Sequence, residues 1–126
     1  MNNFNEDQYY NLAIKEYNNK NISKTKEILS NILKTNKKHF NSLLLIGTIF
    51  AQEKNFKKAE IFLNQALSKQ PNNSELLNNI GNINFEIGNY NKAIIFFKKA
   101  IKFKDNFSQA NYNLAMTYKE LNNFFL

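Results

Sequence analysis

Residues 74–107 read SELLNNIGNINFEIGNYNKAIIFFKKAIKFKDNF, and this stretch of 34 residues recurs along the chain. Residues 40–73 align with it when the sequence is shifted by one period, and residues 6–39 align more loosely. Residues 108–126 match the first half of a fourth copy. A fixed period of this length indicates a solenoid of stacked repeats, in which each repeat supplies part of its neighbour's core.

Each copy contains two segments in which apolar residues recur at helical spacing, separated by a very short polar break. Such a short turn forces the two helices of a pair to run antiparallel. We expect Gly88 to close one turn in a left-handed conformation, and Ser74 and Ser108 to be N-caps. Asn122-Asn123 is predicted to be a further turn, before an eighth helix that does not form. The predicted helices cover residues 6–19, 22–36, 40–53, 56–70, 74–87, 90–104 and 108–121.

Two columns of small residues recur at the repeat period, where small side chains let paired helices approach closely. Larger apolar residues beside them, such as Ile80 and Phe96, are predicted to fill the remaining space. The columns consist of Ala13, Gly47, Gly81 and Ala115, and of Thr25, Ala59 and Ala93.

The composition restricts the classes of function. The chain has no cysteine, which excludes disulfides and cysteine metal sites. No apolar run is long enough to predict a membrane span. The start lacks the basic and apolar regions of a secretory signal, so we expect a cytoplasmic location. The formal charge of +7 comes from lysine without arginine, and the excess of Lys, Asn, Ile and Phe indicates an AT-rich genome.

The columns of small residues and the apolar residues beside them together resemble the tetratricopeptide repeat. That motif combines a large–small apolar pair, aromatic residues, an alanine and a late proline. The second copy matches well, whereas the third has Asn84 in place of an aromatic residue and Asp105 in place of the proline. The first copy is more degenerate. The matching residues are Leu43, Ile46, Gly47, Phe50, Ala59, Leu63 and Pro71; Leu77, Ile80, Gly81, Ala93 and Phe97; Tyr9, Leu12, Ala13, Thr25 and Leu29; and Leu114, Ala115 and Tyr118.

The resemblance implies an all-α fold, a right-handed α-solenoid of about 3.5 helical hairpins. It places this domain at residues 6–126, after a disordered tail at residues 1–5. The repeats are residues 6–39, 40–73 and 74–107, with a truncated repeat at residues 108–126.

In the family, the first helices of the repeats line a concave groove that takes a peptide of a partner protein. The resemblance therefore implies a non-catalytic protein–protein interaction scaffold without a cofactor. This surface is polar and aromatic, with little basic charge. The residues that the resemblance places in the groove are Tyr10, Asn11, Ile14, Tyr17, Leu44, Thr48, Gln52, Asn78, Asn79, Asn82, Phe85, Tyr112, Asn113, Met116 and Lys119.

Asn11, Asn79 and Asn113 share one column of this surface, which Leu45 interrupts. The column is similar to the asparagine ladder of the O-linked N-acetylglucosamine transferases. An Asn amide both donates and accepts, so it can bind a peptide group without reading its side chain. The alternative is that composition alone placed these asparagines there. A second hypothesis for the function is thus the non-catalytic N-terminal region of a longer glycosyltransferase or another enzyme.

The sequence contains no catalytic or metal-binding constellation. His39 is the single histidine, and we expect it to be exposed between two helices. Lys24, Lys58 and Lys92 recur at the repeat period on the second helices, which form the convex face in the family. Because no arginine and no stacking aromatic residues are interleaved with them, the pattern does not indicate nucleic-acid binding. The unfinished last repeat ends in apolar residues 124–126, which makes it a candidate for self-association.

Overall fold

The structure, a computed structural model, describes residues 4–125, with side chains as far as residue 123. Within these residues it contains seven α-helices and no strand, as predicted for an all-α repeat solenoid. Six of the helices end within one residue of their predicted ends. The helices are α1 (Glu6–Asn18), α2 (Ile22–Thr35), α3 (Phe40–Gln52), α4 (Phe56–Lys69), α5 (Ser74–Glu86), α6 (Tyr90–Phe103) and α7 (Ser108–Phe125).

The exception is α7, in which the predicted turn at Asn122-Asn123 is wrong, because the helix continues through both residues to Phe125. Asparagine disfavours a helix by less than about 1 kcal/mol, which does not end one by itself. The turns in the earlier repeats are held by a second helix that packs back against the first, and no such helix follows α7 in the described residues. Residue 126 lies outside the part of the chain that the structure describes.

The turn inside each repeat depends on one left-handed residue. Lys20, Lys54 and Gly88 occupy the same column of the repeat, with φ angles of 65°, 62° and 85°. The prediction for Gly88 is confirmed, and its two lysine counterparts adopt the same conformation at a higher steric cost. The repeat therefore fixes the turn geometry even where the sequence offers no glycine.

Asparagines and one histidine cap most of the helices, and the helix starts correct the predictions for Ser74, Ser108 and His39. Ser108 is the first residue of α7 and not its N-cap. Asn5, placed in the predicted disordered tail, forms a capping box with Gln8, with both hydrogen bonds at 2.9 Å. Asn73 caps α5 by accepting from the Leu76 amide at 3.0 Å, whereas the predicted cap, Ser74, is the first helical residue. His39 is half-buried and caps α3, so the expectation that it is exposed is also wrong.

The core is continuous along the stack, because each buried cluster draws on consecutive helices. One cluster joins α1, α2 and α3, a second joins α3, α4 and α5, and a third joins α5, α6 and α7. No pair of helices buries its apolar face alone, which is the arrangement expected of a repeat protein.

The small-residue column lies where the two helices of a pair come closest. A Cβ atom on Gly81 would lie 2.5 Å from the Cε1 atom of Phe97, and one on Gly47 would lie 2.5 Å from the Cδ2 atom of Leu63. The Phe97 ring is fully buried, so it has no room to move aside. Ala115, in the same column on α7, is exposed because no second helix covers it in the described residues.

Asn84 is the one departure from an apolar core that leaves a polar atom without a partner. Its side chain is fully buried, and its amide donates to the Ile80 carbonyl at 2.9 Å. Its Oδ1 atom accepts no hydrogen bond from any described residue. Phe50 occupies the same column one repeat earlier, where its ring stacks on Phe62 at 5.7 Å.

Replacing Gly81 with leucine should lower the free energy of unfolding by about 1–3 kcal/mol or more, because the added side chain overlaps the buried Phe97 ring. The matched control is Ala115→Leu, which adds a leucine at the exposed position of the same column and should change stability by less than about 0.5 kcal/mol. Urea unfolding of both variants measures the difference. Equal stabilities would contradict the close helix contact at Gly81.

Replacing Asn84 with leucine should raise the free energy of unfolding by about 1 kcal/mol, because it removes a buried oxygen that has no hydrogen-bond donor. Leucine has a similar branched shape, so the core can accept it with little rearrangement. The control is Asn78→Leu, at an equally buried asparagine whose oxygen accepts a hydrogen bond from Asn113, and it should give no such gain. Thermal or urea unfolding compares the two, and a destabilised Asn84→Leu variant would contradict the prediction.

Candidate functional site

The first helices of successive repeats form the inner surface of the solenoid. Within the described residues α3 contacts α5 and α5 contacts α7, whereas the second helices α2, α4 and α6 do not contact one another to the same extent. The first helices therefore lie closer to one another than the second helices do. The groove lies on this side of the stack, between successive first helices. The predicted groove residues all lie on the four first helices, which are α1, α3, α5 and α7.

A cleft of about 440 Å³ opens between α3 and α5. Its apolar wall comes from α3, α4 and α5, and its polar rim comes from amides and a hydroxyl on the two first helices. The residues that line it are Thr48, Ala51, Gln52, Lys54, Phe56, Leu63, Asn79, Asn82, Ile83 and Glu86. The structure thus brings together four of the predicted positions, Thr48, Gln52, Asn79 and Asn82, in one cleft.

A smaller cleft of about 180 Å³ lies between α5 and α7, and it contains the predicted residues Phe85, Tyr112 and Asn113. Asn82 and Glu86 line both clefts, so the two form one groove that runs across α5. The Tyr112 side chain is 64% exposed and stands at its edge. The residues that line the smaller cleft are Asn82, Phe85, Glu86, Phe97, Tyr112, Asn113 and Met116.

Two amides in this groove have no partner. Asn79 and Asn82 are half-buried, and neither side chain makes a hydrogen bond to any described residue. Thr48, in contrast, already donates its hydroxyl to the Leu44 carbonyl at 2.7 Å. The amide atoms of both side chains lie within reach of water at the cleft surface, so they can exchange that water for a ligand.

Asn78 and Asn113 differ from the expectation that both amides face the groove freely. Asn78 is only 1% exposed, and its oxygen accepts a hydrogen bond of 3.1 Å from the Asn113 amide of the next repeat. The pair links α5 to α7 inside the stack. Asn78 therefore offers no surface amide, and Asn113 keeps only part of its hydrogen-bonding capacity for a ligand. Asn11 is exposed.

The predicted residues of the first repeat lie outside both clefts. The Tyr10 ring is half-buried and packs against His39, with ring centroids 5.7 Å apart, and burial raises the pKa of its phenol above the ordinary value. Tyr17 accepts a hydrogen bond of 3.0 Å from the Gln52 amide, which joins α1 to α3. Leu44, a predicted residue of the second repeat, also lies outside both clefts, because it packs against the second core cluster. These side chains support the groove more than they line it.

Glu86 is one of the groove residues that the sequence analysis did not predict, and it lines both clefts. It lies one period after Gln52, which the resemblance had placed in the groove, so the repeat itself carried the signal. Its side chain is exposed and forms no ion pair with a described residue. It is the one charged group that lines both clefts.

The charges of the two kinds of helix have opposite signs. The second helices carry most of the lysines, with Glu27 and Glu60 as their only acidic residues. The first helices carry only two lysines, Lys15 and Lys119, against six carboxylates: Glu6, Asp7, Glu16, Glu75, Glu86 and Glu120. The first-helix side of the solenoid is therefore locally acidic on a protein that is basic as a whole.

Within the part of the chain that the structure describes, no three His, Cys, Asp or Glu side chains are grouped so that they could hold a metal ion. No helix there combines the length and the apolar character that crossing a membrane requires. What the groove offers is amide hydrogen bonding, apolar surface, the Glu86 carboxylate and, at the larger cleft, the Lys54 ammonium.

Known structures share this fold. MamA (AMB-1) superposes with a TM-score of 0.84 at 19% identity, over 94% of this chain and 65% of that chain. MamA from Desulfovibrio magneticus RS-1, residue 41 to its end, superposes with a TM-score of 0.86 at 16% identity, over 94% of this chain and 67% of that chain. PilF of Pseudomonas aeruginosa superposes with a TM-score of 0.80 at 21% identity, over 93% of this chain and 54% of that chain. This chain thus spans about two thirds or less of their lengths, and at such identities the likeness shows the fold alone.

The sequence itself matches a family profile at two adjacent segments, together more than half of the chain. No curated protein matches it significantly. Both profiles describe the tetratricopeptide repeat, one over residues 40–73 and the other over residues 74–107. The chain therefore belongs to the tetratricopeptide repeat family.

Proposed function

We propose that this protein is a non-catalytic interaction module that binds a peptide segment of a partner protein in the groove across α3, α5 and α7. The observation that carries the proposal is the pair of unpartnered, half-buried amides, Asn79 and Asn82, beside two connected clefts. An amide can donate to a peptide carbonyl and accept from a peptide N–H at the same time.

The groove also provides what a peptide needs besides backbone hydrogen bonds. The larger cleft has an apolar wall of Phe56, Leu63 and Ile83, which can take an apolar side chain. The amides on its rim can then hold the main chain on either side of that anchor. Backbone hydrogen bonds supply affinity and the cleft supplies selectivity, which is a common division in peptide recognition.

The lysines of the second helices favour a role in solubility over one in nucleic-acid binding. Lys92 lies 3.7 Å from the Glu60 carboxylate, and the Lys58 ammonium lies over the Phe50 ring at 5.3 Å from its centroid. The Phe50 ring is itself stacked on Phe62, so it is not free to stack on a base. The groove, where free polar groups are found, has few lysines.

The glycosyltransferase hypothesis depends on a different set of amides. Its ladder would use Asn11, Asn79 and Asn113, but Leu45 interrupts the column and Asn113 is already bonded to Asn78. Asn79 and Asn82, which lie in one cleft, are better placed for a single short peptide. A catalytic parent protein stays a prediction that the sequence downstream of residue 126 would test.

Replacing Asn79 and Asn82 together with alanine should weaken peptide binding by about 1–3 kcal/mol, since each amide hydrogen bond contributes about 0.5–1.5 kcal/mol. The matched control is Asn64→Ala with Asn91→Ala, two exposed asparagines on the second helices α4 and α6, which should leave affinity unchanged. Affinities for hits from a random peptide library, measured by fluorescence anisotropy, give the comparison.

The same titration separates the remaining classes. Lys58→Gln with Lys92→Gln should leave peptide affinity nearly unchanged, whereas a nucleic-acid scaffold would lose single-stranded RNA binding through these changes and not through the asparagine changes. Wild-type affinity in the Asn79→Ala, Asn82→Ala double variant would remove the basis of the proposed groove.

We further propose that the uncovered face of α7 mediates weak self-association. Tyr118 is 40% exposed and Ala115 is exposed on the face that α4 and α6 cover in the two preceding repeats. In solution, the average mass by light scattering should rise with protein concentration, and Tyr118→Lys should suppress the rise. Ile95→Lys, at a side chain of α6 that is 53% exposed, is the control and should not. A wild-type protein that stays monomeric at every concentration would contradict this prediction.

A further inference from the structure

We propose that the groove selects a peptide with an arginine or lysine side chain close to an apolar one, and that Glu86 determines the preference for the basic residue. This inference rests on the proposed function and names the class of peptide that the same site takes. It is carried by the position of one unpaired carboxylate and by the separation of charge between the two faces of the solenoid.

The smaller cleft has the composition that suits a long basic side chain. Phe85, Tyr112 and Met116 line it with aromatic and thioether surface, and Glu86 is the one charged residue at its wall. The stem of an arginine or lysine can pack on such surface while its charged head reaches a carboxylate. The exposed Tyr112 ring also offers a face for a cation.

Glu86 is available for this role. Two other carboxylates near the ends of first helices already have partners, since Glu75 lies 2.6 Å from Lys104 and Glu16 accepts from Asn21 at 2.6 Å. Glu86 pairs with no described residue, although Lys54 also lines the larger cleft. At the smaller cleft no lysine lines the wall, so Glu86 is not opposed there.

The apolar side chain that accompanies the basic one in the peptide occupies the larger cleft. Adjacent packed helices lie about 8–10 Å apart, and an extended peptide advances about 3.3 Å per residue. The two clefts, one on each side of α5, are then spanned by about two to three residues. Asn82, which lines both clefts, lies where the main chain between the two side chains would pass.

The test uses short acetylated and amidated peptides that carry a fixed leucine and, two or three residues to either side, arginine or its neutral analogue citrulline. The wild-type protein should bind the best arginine peptide about three- to fivefold more tightly than its citrulline counterpart, which is the upper part of the range for an exposed ion pair. The preference should shrink as salt is added, because exposed charges are screened.

Glu86→Gln should abolish this preference, so that the arginine and citrulline peptides bind with equal affinity. Glu86→Lys should reverse the preference, so that a peptide with glutamate at the same position binds more tightly than the arginine peptide. The control is Glu27→Gln, which removes an exposed carboxylate from α2 and changes the net charge equally, and it should keep the wild-type preference.

The outcomes separate this inference from the proposed function. If the wild-type protein binds arginine and citrulline peptides equally, or if Glu86→Gln retains the preference, the role of Glu86 is refuted. The groove proposal then still stands, provided that Asn79→Ala with Asn82→Ala weakens both peptides. If that double variant binds both peptides as tightly as the wild type, or no peptide binds at all, the proposed function fails and this inference fails with it.

Discussion

The close approach of two helices at a column of small residues is the contact on which the rest of the solenoid depends. At Gly81 a single added carbon would overlap the Phe97 ring, and at Gly47 it would overlap Leu63. Because the paired helices lie so close, each pair forms a thin layer with apolar residues on both sides. Such a layer cannot cover its own core, so it stacks on its neighbours, and the stacking brings the first helices together along one side.

Periodicity then decides where charge and polarity lie. A residue type that recurs at the period returns to the same face of the stack, as Lys24, Lys58 and Lys92 do on the second helices. The net charge of +7 therefore says little about the groove, where the charged lining residues are Lys54 and Glu86. A partner attracted by the lysines and a partner held in the groove need different chemistry, and mutations on one face can be made without disturbing the other.

The fold could be predicted because its determinants recur in every repeat: the small columns, the helical spacing and the short turns. The groove could be predicted only in part. Thr48, Asn79, Asn82 and Phe85 line the clefts, but the burial of Asn78 depends on a hydrogen bond from Asn113 in the next repeat, and no local pattern encodes that contact. The extension of α7 through Asn122 was missed for a similar reason, since a turn at that position depends on what packs after it.

The many asparagines do not all bear on function, and their surroundings separate the roles. The side-chain oxygens of Asn5 and Asn73 accept hydrogen bonds as helix caps. Asn78 and Asn113 are hydrogen-bonded to each other across two repeats, and Asn84 is buried in the core. Asparagine is abundant throughout the chain, but abundance does not explain why two neighbouring amides are half-buried, without a partner among the described residues and adjacent to an apolar cleft. Asn79 and Asn82 meet all three conditions, and a binding function must account for them first.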